Sequence, residues 1–416
     1  MIFKEGFSDI IISGAGPAGS TASMFLSKNK IKHTLIEKAE FPRDKICGDA
    51  LSGKVMSILR SLDETMAEDL SNQAHLFHPS KGVIFVAPNY KKLSIPFKHE
   101  YKPGDKAPGY VSKRLIFDNF LFEKTKSPYV HSVQNCELKE IERIEGGLQI
   151  TAIQNGVSET IETRLLIAAD GSRSLAAKKL SGIKMEPSHY SGGIRAYYSH
   201  VKDMNEDGFV ELIFLKNYKP GYFWIFPMPG GGVNVGAGML TKQISKRRID
   251  LKKMMMDTIE NDPIISKRFE GAVMEDKIQG WGLPLGSKKR NISGDNYMLC
   301  GDAGSLIDPF TGEGIGPAML SGKIAASMAI KAVAEQNFGA GLLAEYDKTY
   351  YAKTWGESRM SYMLQKLTQW PWLFNFFINK ATRSPELQKT ISSMFANVDM
   401  RKQFANPLFY IRLLFR

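Results

Sequence analysis

The chain is poor in cysteine. Cys47, Cys136 and Cys300 are its three cysteines in 416 residues, and they stand far apart. Without a CxxC pair or a Cys/His cluster, neither a zinc site (no metal is expected) nor a disulfide framework fits, and a reducing compartment is the simple reading. Long apolar runs are missing too. No window approaches 18 uninterrupted apolar residues, which argues against a membrane-spanning helix. The first apolar run, Ile10-Ile11-Ile12 after Asp9, is too short for a secretory signal, so a cytoplasmic protein is expected. Acid is in deficit: 43 Asp+Glu face 55 Lys+Arg, a net charge of +12. That leaves a nucleic-acid surface, an anionic membrane surface or a pocket for anionic ligands as the reason for the basic balance.

What is present starts with a βαβ unit. Asp9 to Ser13 is a short apolar run entering a glycine turn, Pro17 to Lys30 carries apolar residues at helical spacing, and His33 to Glu37 returns to an apolar run. Gly14-Ala15-Gly16-Pro17-Ala18-Gly19 fits G-x-G-x-x-G between strand and helix. Gly14 would make the tight turn, Gly16 would let backbone approach a pyrophosphate, and Gly19 would allow close helix–strand packing. The helix N-terminus would present its N–H groups to the phosphates. Glu37, 18 residues after Gly19, stands where a carboxylate accepts from ribose hydroxyls, which favours an unphosphorylated ribose as in FAD or NAD.

Further along, residues 52–62 and 113–126 read as helices, the second with Leu115, Phe117, Phe120, Leu121 and Phe122 on or near its buried face. Residues 82–97 read as a hairpin around Pro88-Asn89. Residues 129–168 form a meander with turns at Gly146-Gly147 and Asn155-Gly156, and residues 190–240 supply strands of a second sheet. Apolar strands ending in Asp170-Gly171 and in Gly301-Asp302-Ala303, the latter followed by Gly312-Glu313-Gly314-Ile315 and a helix, complete a scattered nucleotide domain. The fold class expected is α/β: a Rossmann-like FAD-binding domain (1–80, 100–185 and 290–340), an inserted antiparallel-sheet substrate domain (81–99 and 186–289), and a helical C-terminal region (341–416).

These three segments resemble the fingerprints of FAD-dependent oxidoreductases of the aromatic-hydroxylase type. The resemblance implies that Asp302 holds the ribityl chain, that Gly314 and Ile315 offer backbone N–H groups to the flavin, and that Arg114 contacts it. A solvated charge at the helix start is the plain alternative for Arg114. A narrower resemblance covers nearly the whole chain. Phe41-Pro42-Arg43-Asp44-Lys45-Ile46-Cys47-Gly48-Asp49 is similar to the P-x-x-K-x-C-G segment of the geranylgeranyl reductase family. Tyr222-Phe223-Trp224-Ile225-Phe226-Pro227, followed by Gly236-Ala237-Gly238, is similar to its Y-x-W-x-F-P…G-x-G segment. Two positions depart from the family: Met228 stands where Lys is frequent, and Asp49 where glycine is frequent.

The narrower resemblance implies an FAD-dependent reductase that saturates C=C bonds of an isoprenoid, geranylgeranyl-type chain on a lipid or prenylated small molecule. Cys47, Gly48 and Ala50 would lie at the cofactor. Cys47 would contact the flavin or relay a proton, or else be a small buried loop residue. Tyr222, Trp224 and Phe226 alternate, so on a strand they share a face and would wall an apolar slot with Pro227, while Gly236 and Gly238 would let a ligand approach. Packing of the aromatics into a core and bulges at the glycines is the alternative. No second nucleotide fingerprint is visible, so NAD(P)H docking transiently or a reduced protein partner would supply electrons.

Residues 361–416 hold eight basic and two acidic residues, half of the net charge, among Trp370, Trp372, Leu373, Phe374, Phe376, Phe377 and Ile378. Cations interleaved with aromatics suit an anionic headgroup surface and a peripheral position on the inner face of a membrane; a packed helical cap is the alternative. No nucleic-acid motif accompanies the charge. Two other functions compete: a flavin monooxygenase or halogenase of the same fold, whose W-x-W-x-I-P segment residues 222–227 do not match, and a non-catalytic lipid-binding flavoprotein.

Overall fold

The computed structural model describes residues 2–98, 100–385 and 387–388. The apolar run at the start forms the strand Ile10–Ser13, at the centre of a six-stranded sheet. The strand order is 293–294, 297–299, 165–168, 10–13, 33–36, 130–133, all parallel except the edge strand 293–294. Ile10, Ile11 and Ile12 are fully buried, as strands covered on both faces require. The helix Pro17–Lys28 crosses the long helix Ile315–Glu335 closely: a Cβ on Gly322 would come within 2.2 Å of the Ala18 carbonyl oxygen. Glycine at 322 is what lets the two backbones touch.

The meander is a three-stranded antiparallel sheet, 136–144, 147–154 and 157–163, turning at Asn155 (φ 49°) and Gly156 (φ 83°). Both left-handed residues suit a two-residue hairpin turn. The helix Arg114–Glu123 buries Phe117, Leu121 and Phe122, but Leu115 is exposed and Phe120 half-buried, because the packed face is narrower than the apolar run. A small sheet of 50–51, 109–111 and 78–80 joins the cysteine loop to this region.

The second large sheet has eight strands, ordered 273–274, 190–199, 233–240, 221–227, 210–213, 82–86 and 92–96, with 279–284 beside 190–199. The hairpin expected at 82–97 supplies two of them. Alternation splits the strand Gly221–Pro227 between two environments. Phe223 and Ile225 pack with Val235, Ala237 and Met255 under the helix Leu251–Asn261. Tyr222, Trp224 and Phe226 face the nucleotide domain.

One residue before the expected start of the helical C-terminal region at 341, a 28-residue helix (Ala340–Leu367) begins and serves both sheets. Leu342, Leu343, Tyr346 and Tyr350 enter the core of the parallel sheet, and the Tyr346 hydroxyl donates to the Leu299 carbonyl at 2.7 Å. Farther on, Leu364 and Leu367, then Phe374, Phe377, Ile378 and Ala381 of the helix Pro371–Ala381, pack against the substrate sheet. Lys389, Arg401, Lys402, Arg412 and Arg416, five of the eight basic residues of that region, lie outside the described residues. No described helix is long and apolar enough to cross a membrane.

Candidate active site

The glycine turn is built as a nucleotide cradle. Gly14 has φ +96°, and a Cβ there would lie 2.4 Å from the Ala169 carbonyl oxygen, so the turn fits only glycine. A Cβ on Gly19 would lie 1.8 Å from the Gly14 oxygen. At Gly16 a Cβ would meet only the Arg43 guanidinium, at 3.6 Å, so this position opens outward. Gly16 caps the helix Pro17–Lys28 with no side-chain bond, leaving first-turn N–H groups for an anion. The Ala18 backbone lies against Gly322, and its Cβ would come within 3.5 Å of a Cβ placed on Gly301.

Glu37 is buried beneath the turn. Its Oε2 accepts from the Ala15 N–H at 2.9 Å and its Oε1 from the Ala39 N–H at 3.2 Å, which fixes the carboxylate while leaving lone pairs for hydroxyl donors. Arg43 stands beside it, with its guanidinium 3.7 Å from Glu37 and 2.5 Å from Asp118. Asp118 also takes a two-point bond from the buried Arg114, at 2.5 and 2.7 Å. Burial pushes the Asp118 carboxyl up, but the bonded Arg114 and Arg43 outweigh it and hold the group below the usual carboxylate range. Arg114 is therefore a fixed cation and not a solvated helix-start charge.

Between the two sheets lies a cavity of about 1370 Å³, counting its open mouth. Cys47, Gly48, Ala50 and Arg114 line one side; Asp302, Gly314 and Ile315 line another; Tyr222, Trp224 and Phe226 form a third wall with Leu212. Asp302 pairs with Lys45 at 3.0 Å. Gly314 caps the helix Ile315–Glu335 without a side-chain bond, so a second helix N-terminus points into the cavity wall. Burial pushes the Cys47 thiol up despite Arg114 nearby, which keeps it neutral near pH 7.

Asn234 ties the walls together. It accepts from the Trp224 indole N–H at 2.8 Å and donates to the Cys47 carbonyl at 2.9 Å and to Asp49 at 2.8 Å. The Tyr222 hydroxyl donates to the Thr311 carbonyl, joining the stripe to the Gly312–Ile315 turn. Gly48 lies flat on Phe226, which a Cβ there would approach to 3.1 Å.

Three expected substrate residues lie outside the main cavity's lining. A Cβ on Gly236 would lie 2.2 Å from the Trp224 ring, so its missing side chain makes room for that indole. Gly238 lines a smaller neighbouring cavity, which shares Tyr222, Trp224, Leu283 and Gly312 with the main one. Pro227 ends the strand outside the main cavity's lining. Met228 is buried with the apolar cluster that also holds Phe374 and Phe377. Arg43, Lys45, Asn234 and Tyr197 were not singled out from the sequence. Arg43 and Lys45 lie inside the P-x-x-K-x-C-G segment, whereas nothing local marks Asn234 or Tyr197.

This cradle, with a second helix end across an apolar cavity, defines a flavoprotein oxidoreductase. Residues 8–350 match the family model described as FAD binding domain. A digeranylgeranylglycerophospholipid reductase of Methanococcus vannielii is 30% identical over 86% of this chain and 87% of its own. A menaquinone reductase of Mycobacterium tuberculosis is 26% identical over 77% and 76%. The crystal structure of a geranylgeranyl bacteriochlorophyll reductase-like protein from Thermoplasma acidophilum superposes with a TM-score of 0.79 at 22% identity, covering 94% and 97% of the two chains, a likeness of fold. The chain belongs to the geranylgeranyl reductase family of FAD-binding oxidoreductases, and it is an FAD-dependent reductase of the geranylgeranyl and menaquinone reductase type.

Proposed function

We propose that this protein saturates C=C bonds of an isoprenoid chain borne by a lipid or prenylated small molecule. The observation that carries the reading is the aromatic stripe Tyr222–Trp224–Phe226 set across one apolar cavity from the Gly312–Ile315 turn and the cysteine loop. Glu37 would hold the adenosine ribose, the Gly14–Gly19 turn with Arg43 the pyrophosphate, and Asp302 the ribityl chain. Gly314 and Ile315 would face the flavin, and Arg114, Cys47, Gly48 and Ala50 would close its other side. Reduced FAD supplies hydride there. The aromatic wall orients the chain and excludes water, and the uncapped helix end at Gly314 favours negative charge at the flavin edge. The smaller cavity beyond Tyr222 and Trp224 takes more of a long chain. Electrons come from NAD(P)H or from a reduced protein partner.

The test is anaerobic: dithionite-reduced holoenzyme is mixed with a digeranylgeranylglyceryl phospholipid and the lipid is weighed by mass spectrometry. Two hydrogens gained per double bond is the expected result. An unchanged lipid together with oxygen-dependent product from an aromatic substrate would make the protein a monooxygenase or halogenase instead.

The same reading places the protein at a membrane. Met363, Trp372 and Phe376 on the C-terminal helices and Trp370 between them are each exposed, while Phe374, Phe377 and Ile378 from the same run are packed inside. The aromatics thus divide between a packed cap and an apolar outer face suited to lipid headgroups.

A further inference from the structure

Asp49 of the cysteine loop has no task in the cofactor reading. Its backbone is left-handed (φ 68°), a conformation that costs a non-glycine residue energy and that Asp tolerates better than most. The carboxyl is out of bulk solvent: Asp49 is 0% exposed and lines the main cavity. Its Oδ2 accepts from the Tyr197 hydroxyl at 2.7 Å and from the Asn234 amide at 2.8 Å. Its Oδ1 is buried with no hydrogen-bond partner among the described residues.

The groups facing it come from four elements: Tyr197 and Arg195 from the strand Tyr190–Ser199, Asn234 from Val233–Leu240, Arg114 from the helix Arg114–Glu123, and Cys47 from its own loop. Arg195 stacks on the Tyr197 ring at 4.0 Å and pairs with Asp44 at 2.8 Å, and Lys113 lies 4.6 Å from the same ring. Burial pushes the Asp49 carboxyl up to about 7, against the bonds from Tyr197 and Asn234 and the charges of Arg195 and Arg114. A carboxyl so placed holds a proton near neutral pH and can give it up.

We propose that Asp49 is the acid of this site, giving its carboxyl proton to the alkene carbon that does not take the hydride; this rests on the isoprenoid-reductase reading above. The hydride pair forms one C–H bond. The π pair of the broken double bond forms the other with the Asp49 proton. The two electrons come from the reduced flavin, which ends oxidised, and Asp49 ends as a carboxylate that Tyr197 and Asn234 stabilise until solvent reprotonates it.

The test uses holoenzyme of the wild type, Asp49→Asn and Tyr197→Phe. In the Asn variant, FAD content and reduction by dithionite stay unchanged, while reoxidation of the reduced flavin by a digeranylgeranylglyceryl phospholipid slows by about 100-fold or more. Infrared spectra of resting wild type show a protonated-carboxyl band that titrates near neutral pH and is missing in the Asn variant. Tyr197→Phe moves that midpoint upward, because it removes a bond to the charged form; this arm decides the matter should the Asn variant fail to fold. A lipid left untouched by wild type would sink the functional reading and the donor role with it. Wild-type turnover with full-rate reoxidation in the Asn variant, or a band that neither substitution moves, overturns the role of Asp49 alone.

Discussion

Several polar groups of this protein are buried, and packing sets their charge state. His33 is a clear case outside the cavity. Its ring is sealed between the Ser23 hydroxyl at 2.8 Å and the Ile31 carbonyl at 2.9 Å. Burial pulls its pKa down from 6.5 to about 4, against the bond to Ile31. The folded state therefore prefers neutral imidazole, and the unfolded chain binds the extra proton between those two values. Stability from His33 is complete above pH 6.5 and is lost as pH falls toward 4, by roughly 3 kcal/mol. Urea unfolding at stepped pH should show this acid loss in wild type and a shallower one in His33→Gln; equal slopes would show that His33 is not the group responsible. Asp49 behaves in the opposite sense: its raised pKa costs stability as pH rises from the ordinary carboxylate range through about 7. Asp49→Asn should accordingly gain stability relative to wild type at pH 8 more than at pH 4, measured by the same unfolding curves.

Elements in this fold are positioned by glycines at which another backbone or ring must pass. Gly322 lets the two nucleotide-domain helices cross against Ala18, and Gly236 lets the Trp224 indole lie on its neighbouring strand. Gly322→Ala should push the helix Pro17–Lys28 off its seat, costing roughly 1–3 kcal/mol and weakening FAD binding together with thermal stability. Gly236→Ala should cost a similar amount by displacing Trp224, but it should leave FAD affinity near wild type, because the stripe and not the cradle moves. Calorimetry and FAD titration separate the two. Equal loss of FAD in both variants would mean that the sheets do not fold around separable sites. At this scale much of the fold was legible: the βαβ unit, the hairpin at 82–97 and the turn at Asn155-Gly156 all follow local periodicity and turn chemistry. Leu115 misled because an apolar run exceeds the face that a helix can bury.

The whole molecule brings two sheets and a two-part helical tail around one cavity, and the tail leaves an apolar face outside. Flotation with vesicles rich in anionic lipid should recover the wild-type chain and lose it progressively with added salt. Trp370→Ala, Trp372→Ala and Phe376→Ala combined should weaken that binding at least about tenfold, since burying even one such ring is worth ~1.5–3 kcal/mol. Unchanged flotation of the triple variant would move the membrane contact elsewhere on the protein.

The amino-acid sequence by itself determined the nucleotide cradle, because a glycine turn, a helix start and a terminal acid act within one βαβ unit of about 30 residues. It also determined the aromatic stripe, since alternation on a strand places Tyr222, Trp224 and Phe226 on one face whatever they meet. Only the tertiary structure decided what they meet. Asn234 reaches Asp49 across 185 residues of chain and Tyr197 reaches it across 148, so neither bond leaves a local pattern. Cross-strand pairing sets the Trp224 indole against Gly236, and contacts from distant strands turn Asp49, a departure from the family's glycine, into a buried carboxyl. Burial and long-range hydrogen bonding set the proton affinity of such a group, and both come into being only when the two sheets close on each other.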